Sequence, residues 1–286
     1  MQTTAPTPPR GILRTGPADN AFQLGRRMPS ADVAEFVEHF WTVRWDLRGR
    51  EPQLQETLPH PSVHLTIETD RSRIMGVVRR RFSVTLADEG FAFGIKFRPG
   101  AFQPFLGAAV STIADRELSL EAVFGAEGTA LDAAIRSVED TDERADRAES
   151  FLRARLPAPD ENRLLARQLV DRILEDRAIL RVEDLVRHTG MSARTLQRLF
   201  SRYVGATPKW VIQRYRLHEA AERLASGQDA AGPSLAYELG YCDQAHFIND
   251  FRAIVGVSPA EYARRSAAAR CPRGVVPITP PATDAR

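Results

Sequence analysis

Cysteine is scarce in this chain, with only Cys242 and Cys271 among 286 residues. That leaves no material for a disulfide framework or a zinc cluster and fits a reducing cytoplasm. Long apolar runs are missing too, so no segment reads as a membrane span. Residues 1–20 hold Pro6, Pro8, Pro9 and Pro17 and no apolar core, which argues against a signal peptide and predicts a disordered tail. There is no phosphate-binding loop, dinucleotide fingerprint, nucleophile elbow or run of heptads, so the enzyme classes those motifs mark drop out. Neither a cofactor nor a metal is expected. The net charge is only +2, but it hides a split. Residues 161–286 carry 19 Lys and Arg against 14 Asp and Glu, which leaves 20 against 23 for residues 1–160. The second part of the chain is the basic one.

That basic part says nearly the same thing twice. The first copy has Leu185, Gly190, Ser192, Leu196, Phe200, Gly205 and Pro208; the second has Leu235, Gly240, Phe247, Phe251, Gly256 and Pro259. Gly190 to Gly240 is 50 residues and Gly205 to Gly256 is 51, so one residue has been added in the second turn. Each copy predicts a short helix, a turn and a second helix. Gly190 suits the left-handed conformation that closes a helix, and Ser192 can cap the next one. On that next helix Leu196, Leu199, Phe200 and Tyr203 follow the spacing of one buried face. The opposite face presents Arg194, Gln197, Arg198 and Ser201. A short polar face with Arg and Gln at helical spacing suits a DNA major groove, where Arg reads guanine and Gln reads adenine; an ordinary solvated face has the same spacing.

Between the copies, Thr207 and Pro208 open a helix and Gly227 stops it. Val211, Tyr215, Leu217, Ala220, Ala221 and Leu224 give it an apolar stripe, with Glu219 and Glu222 outside that stripe. A helix of roughly 18 residues is about 27 Å long at ~1.5 Å per residue. Such a rod can hold two recognition helices about one DNA turn apart, ~34 Å. From 185 to 218 there are seven cations (Arg187, Arg194, Arg198, Arg202, Lys209, Arg214, Arg216) and no carboxylate. From 232 to 262 Arg252 stands alone against Glu238, Asp243, Asp250 and Glu261. The first copy and the linker are therefore expected to supply most of the phosphate attraction.

Taken jointly, Leu196-Gln197-Arg198-Leu199-Phe200, Gly205-x-x-Pro208, Arg216-Leu217-x-x-Ala220, Gly240-Tyr241-Cys242-Asp243-Gln244-x-x-Phe247-x-x-x-Phe251 and Gly256-Val257-Ser258-Pro259-x-x-Tyr262 resemble the AraC/XylS family of bacterial transcription regulators, over about residues 161–265. The resemblance implies two recognition helices in the major groove. It puts base contacts at Arg194, Gln197 and Arg198, and at Gln244, Ala245 and Asn249. Arg202, Lys209 and Arg252 join the expected DNA-binding set. Two departures matter: Cys242 stands where the family usually has serine, and Ala245 offers no hydrogen bond.

The N-terminal part changes period. Residues 40–45, 63–68, 82–86 and 91–97 alternate apolar and other side chains, as half-buried strands do. A small antiparallel sheet or barrel follows, then helices at 118–124, 129–138 and 142–156, the last begun by Asp140. Pro157-Ala158-Pro159 marks a boundary, and residues 160–179 form an amphipathic helix leading into the first repeat. His64, Thr66 and Glu68 share one strand face, so His64 and Glu68 are the candidate ligand-binding residues.

The chain thus reads as α+β: a tail (1–20), an N-terminal sensing or dimerisation domain with a small antiparallel sheet or barrel and helices (21–156), an all-α domain of two helix-turn-helix motifs on a linker helix (160–270), and a second disordered tail (271–286). The expected function is effector-responsive, sequence-specific DNA binding in the cytoplasm, not catalysis. Double-stranded DNA is the expected partner; RNA polymerase, a small-molecule effector and a second copy of the chain are further candidates, and no membrane contact is expected. Two alternatives remain. One is a cupin-like metalloenzyme fused to a DNA-binding domain, which needs a His/Glu cluster that converges in space; the other is a constitutive DNA-binding protein with a structural N-terminal domain.

Overall fold

The structure is a computed structural model that describes residues 12–13, 22–227 and 232–270. Residues 271–286 and all of 1–20 but Ile12 and Leu13, the two tails expected to be disordered, lie outside the described residues. Among the described residues nine strands come first, the last set off by a short helix and a 3-10 turn: β1 (Ile12–Leu13), β2 (Phe22–Arg27), β3 (Val37–Asp46), β4 (Gln53–Thr57), β5 (His64–Glu68), β6 (Ser72–Met75), β7 (Phe82–Leu86), β8 (Glu89–Phe97) and, after α1 (Gln103–Leu106) and the 3-10 turn at Val110–Ile113, β9 (Glu117–Leu118). Then come α2 (Leu120–Phe124), α3 (Ala126–Arg136), α4 (Thr141–Arg153), α5 (Glu161–Glu175), α6 (Val182–Thr189), α7 (Ala193–Tyr203), α8 (Pro208–Ser226), α9 (Pro233–Glu238), α10 (Gln244–Val255) and α11 (Pro259–Arg270).

The strands make two antiparallel sheets, in the orders β2-β3-β8-β5-β6-β9 and β1-β4-β7. One face of the larger sheet is apolar. Phe40, Leu65, Ile67, Ile74, Phe93 and Ile95 are buried there in one cluster with Leu131, Ile135, Ala145, Ala148 and Leu152 of α3 and α4. Pairing across the strands aligns the other face: His39 and His64 flank Lys96, while Trp41 and Thr66 flank Gly94, with Arg73 beyond Thr66. The expected half-buried alternation fails on this face, because it is covered as well: Thr66 is 2% exposed, Arg73 7% and Lys96 8%. Gly94 is needed there, since a Cβ would sit 2.0 Å from the Trp41 ring lying across it.

The caps expected at Asp140 and Thr207 form, and Asp160 supplies another. Asp140 accepts the N–H of Glu143 at 2.8 Å, Asp160 that of Asn162 at 2.9 Å, and Thr207 that of Trp210 at 3.2 Å; each satisfies an N–H with no partner inside its helix. The apolar cluster of the sheet runs on without a break into Leu185, Leu196, Phe200, Tyr203 and Val211 of the first repeat. Arg163 joins the two parts: it is 1% exposed, bonds Glu35 and lies 4.5 Å over the Phe36 ring. The second repeat has its own cluster, built from Leu217, Ala221, Leu224, Leu235, Leu239, Phe247, Phe251 and Val255.

Candidate nucleic-acid interface

Both repeats fold as helix-turn-helix units for the local reasons the spacing gives. Gly190 closes α6 at φ 68° and Gly240 follows α9 at φ 83°, conformations that cost an L side chain free energy. Ser192 caps α7 by accepting the Thr195 N–H at 3.2 Å, and Asp243 caps α10 by accepting the His246 N–H at 2.7 Å. Asp184 holds the start of α6, accepting the N–H groups of Leu180 (2.9 Å) and Arg181 (2.8 Å). Burial would raise its carboxyl pKa, but these bonds and the neighbouring Arg187 outweigh that and lower it.

The buried faces are as the period predicts. Leu196 and Phe200 are fully buried, Leu199 and Tyr203 nearly so, and Phe247 and Phe251 anchor α10 in the same way. Arg194, Gln197, Arg198 and Arg202 stand exposed on α7, with Lys209 exposed on the first turn of α8. On α10, Ala245, Asn249 and Arg252 are exposed and Gln244 is half-buried. Sequence reasoning missed His246. It is exposed, three residues before Asn249, its ring edge-on to Tyr241 at 5.4 Å and its Nε2 3.4 Å from Asp250. The i, i+3 spacing to Asn249 was the signal for it, and it places a polar side chain beside the mute Ala245.

Two expectations need correction. Ser201 was grouped with the groove-facing residues, but its hydroxyl, though exposed, is 2.9 Å from that of Ser111 in the N-terminal part, so this side chain is engaged within the fold while Arg202 beside it stays exposed. The linker was expected to add cationic surface through Arg214 and Arg216, yet they are 3% and 2% exposed. Arg214 stacks 4.8 Å over the Trp210 ring and donates to Arg79 O at 3.1 Å; burial lowers its pKa to about 10. Arg216 donates to Ile173 O at 2.5 Å and to Glu219 at 2.8 Å. The linker's exposed cation near the first repeat is therefore Lys209. Glu219, outside the apolar stripe as the sequence reads, is tied to Arg216, Arg177 (3.4 Å) and Arg223 (3.7 Å). The charge asymmetry stands, because α10 keeps Asp243 and Asp250 beside its exposed residues.

In the N-terminal part His64 and Glu68 lie on one face but in different surroundings. Glu68 is held by Arg71 at 2.8 Å and Arg73 at 2.9 Å. His64 belongs to a histidine cluster with His39 and His60 around Lys96, which donates to Glu38 at 2.9 Å. Burial, and then Lys96, lowers the His64 pKa to about 3; burial, with Lys96, His218, His64 and Arg214, holds His60 well below the usual imidazole range. Among the described residues no three His, Cys, Asp or Glu side chains are placed to hold a metal ion, so the convergence that the metalloenzyme alternative needs is not met there. No helix among them is long and apolar enough to cross a membrane.

With this geometry in hand, two family models match the chain: one described as a domain of unknown function (DUF6597) over residues 25–119, and one described as a helix-turn-helix domain over residues 185–265. An uncharacterized HTH-type transcriptional regulator of Haemophilus influenzae is 31% identical over 81 residues, 28% of this chain and 27% of that protein. The chain thus spans about a quarter of this curated relative. The crystal structure of a probable AraC family transcriptional regulator from Rhodopseudomonas palustris is 28% identical, covering 35% of this chain and 94% of that one, with a TM-score of 0.31. ToxT from Vibrio cholerae bound to an unsaturated fatty acid is 13% identical, covering 87% of this chain and 97% of that one, with a TM-score of 0.34.

Proposed function

We propose that the chain, whose residues 185–265 match a helix-turn-helix family model and carry the motifs that resemble the AraC/XylS regulators, is a cytoplasmic, sequence-specific transcription regulator that reads two adjacent major-groove segments with α7 and α10. The observation that carries this reading is the pair of exposed polar faces on one continuous linker: Arg194, Gln197 and Arg198 on α7, and Asn249, beside Gln244, Ala245 and His246, on α10. Arg202, Lys209 and Arg252, all exposed, serve phosphates. Such contacts position a protein without specifying sequence, whereas base contacts specify. The first repeat is the stronger reader, because the second pairs Ala245 with two nearby carboxylates. A second copy of the chain and RNA polymerase are the protein partners of this reading.

The effector site of this reading is at the half-buried His64 and Glu68 on the otherwise covered polar face of the larger sheet. What supports this is a buried Thr66 hydroxyl without a hydrogen-bond partner, between His64 and Glu68 on one strand. A buried polar group without a partner costs free energy that a ligand would recover. A thermal-shift screen of small metabolites on the full chain tests it; stabilisation by mass action that His64→Ala abolishes supports the site, and equal shifts in both proteins refute it.

The decisive experiment for DNA reading is selection of bound sequences from a random duplex pool by the chain of residues 1–286. Two enriched half-sites about one helical turn apart, ~34 Å, are expected; no enriched sequence would overturn the reading. On the selected site Arg198→Ala should cost ~1–3 kcal/mol of base discrimination, while Arg202→Ala should weaken binding to all duplexes alike. Equal losses on selected and scrambled DNA for Arg198→Ala would refute its assignment.

A further inference from the structure

The linker helix is not the only tie between the two recognition helices. The N-terminal part reaches both, each time at the C-terminal end. At the first, Ser111 meets Ser201 of α7 at 2.9 Å, and Val110, 1% exposed, lies so close to Gly205 that a Cβ there would come within 2.8 Å of it. At the second, the Arg81 guanidinium reaches Val255 O at the end of α10 (3.5 Å) and occupies the space a side chain at Gly256 would need. Glu56 holds Arg81 from the other side at 3.3 Å. Leu58, from the loop after β4, is buried not in the core of its own sheet but in the apolar cluster of the second repeat, with Leu217, Leu235, Phe247 and Phe251. Between these points the same loop grips the linker, where His218 Nε2 is 3.0 Å from Pro59 O and the His218 and His60 rings stand edge-on at 4.5 Å.

A module attached to the end of a single rod can still turn about that rod's axis. Attachment at a second point off the axis removes that rotation. Leu58 and Arg81 are such points for the second repeat, and Val110 and Ser111 are their counterparts for the first. We propose that Leu58 and Arg81 are positioning residues for DNA reading: by tying α10 to the N-terminal part that also holds α7 through Val110 and Ser111, they fix the separation of the two recognition helices, so that the N-terminal part selects the half-site spacing. This rests on the DNA-reading function proposed above. It also gives an effector on the larger sheet a short mechanical route to the DNA, because the loop carrying Leu58 runs directly into β5, the strand that bears His64 and Thr66.

The test uses the full chain. Spin labels on cysteines introduced by Arg194→Cys and Ala245→Cys, in a Cys242→Ser, Cys271→Ser background, report the distance between α7 and α10 without DNA. A narrow distribution is expected for the parent, and a broadened or shifted one for Leu58→Ala with Arg81→Ser, with Leu58→Met retaining the narrow one. Unlabelled, the double variant should bind an isolated half-site as the parent does, yet lose about tenfold of its preference for the correct spacing, out of the ~10²–10⁴ that linkage of two modules supplies. Arg81→Ser alone, at an exposed side chain, is the readout if Leu58→Ala unfolds the second repeat. An unchanged distance distribution in a folded variant overturns the positioning role. A broadened distribution in a protein whose parent shows no spacing preference on DNA overturns the regulator reading and leaves the tether a structural one.

Discussion

Replacing Arg214 by methionine separates charge that DNA feels from charge the fold conceals. The release of counterions gives a slope of log affinity against log salt of ~0.9 per phosphate neutralised. If all seven cations between 185 and 218 faced DNA, the first repeat and linker would contribute a slope of about 6; the five exposed ones would contribute about 4.5. Arg214 is 3% exposed, lies over Trp210 and donates to Arg79 O. Its Nε and Nη1 have no partner. With its pKa lowered only to about 10 it stays protonated at neutral pH, so burial, not loss of charge, keeps it from the phosphates. Arg214→Met is expected to leave the salt slope unchanged, whereas Lys209→Ala lowers it by about one. Its stability should stay within about 1 kcal/mol of wild type: losing the bond to Arg79 O costs about 1 kcal/mol, and removing a buried cation with two unpartnered guanidinium nitrogens offsets that. Anisotropy titrations on one duplex at several salt concentrations, beside a urea melt, measure both quantities. A slope that falls by about one in a stable Arg214→Met protein would refute the reasoning, since it would mean that the linker turns this face to DNA when bound.

Two more predictions follow from buried charge. Glu219→Ala should destabilise the chain by about 3 kcal/mol in a urea melt, because it strips the carboxylate from Arg216, 2% exposed, and an unpaired buried charge is costly; Glu222→Ala, at an exposed position, should cost less than about 1 kcal/mol. The histidine cluster makes stability depend on pH: the lowered pKa values of His39, His60 and His64 mean that the unfolded chain binds protons near pH 6.5 while the fold does not. Stability is therefore full above that pH and falls as pH drops. For His64, lowered to about 3, the loss is about 2 kcal/mol at pH 5, at ~1.4 kcal/mol per pH unit, and His64→Gln should flatten the urea-melt profile between pH 7.5 and 5 by that amount.

The two helix-turn-helix units were legible because their determinants are local. Gly190, Ser192 and the Leu196, Leu199, Phe200, Tyr203 stripe act within one or two turns of chain, where spacing alone fixes geometry. The longer apolar strands were legible for the same reason: β8 was read as 91–97 and runs Glu89–Phe97. Strands β2, β4 and β6 were missed. Phe22-Gln23-Leu24-Gly25-Arg26-Arg27 and Gln53-Leu54-Gln55-Glu56-Thr57 are too polar to announce a buried face, and they are strands because β3 and β7 supply partners for their backbone groups. Which polar side chain faces water was likewise settled at long range. Arg198 and Arg214 look alike in sequence, each a cation on a helix. The second is buried because a loop more than a hundred residues earlier lies across it and offers Arg79 O, and the exposed Ser201 has its hydroxyl engaged because Ser111 meets it. Periodicity tells which residues share a face of one helix; what covers that face depends on where the rest of the chain comes to lie.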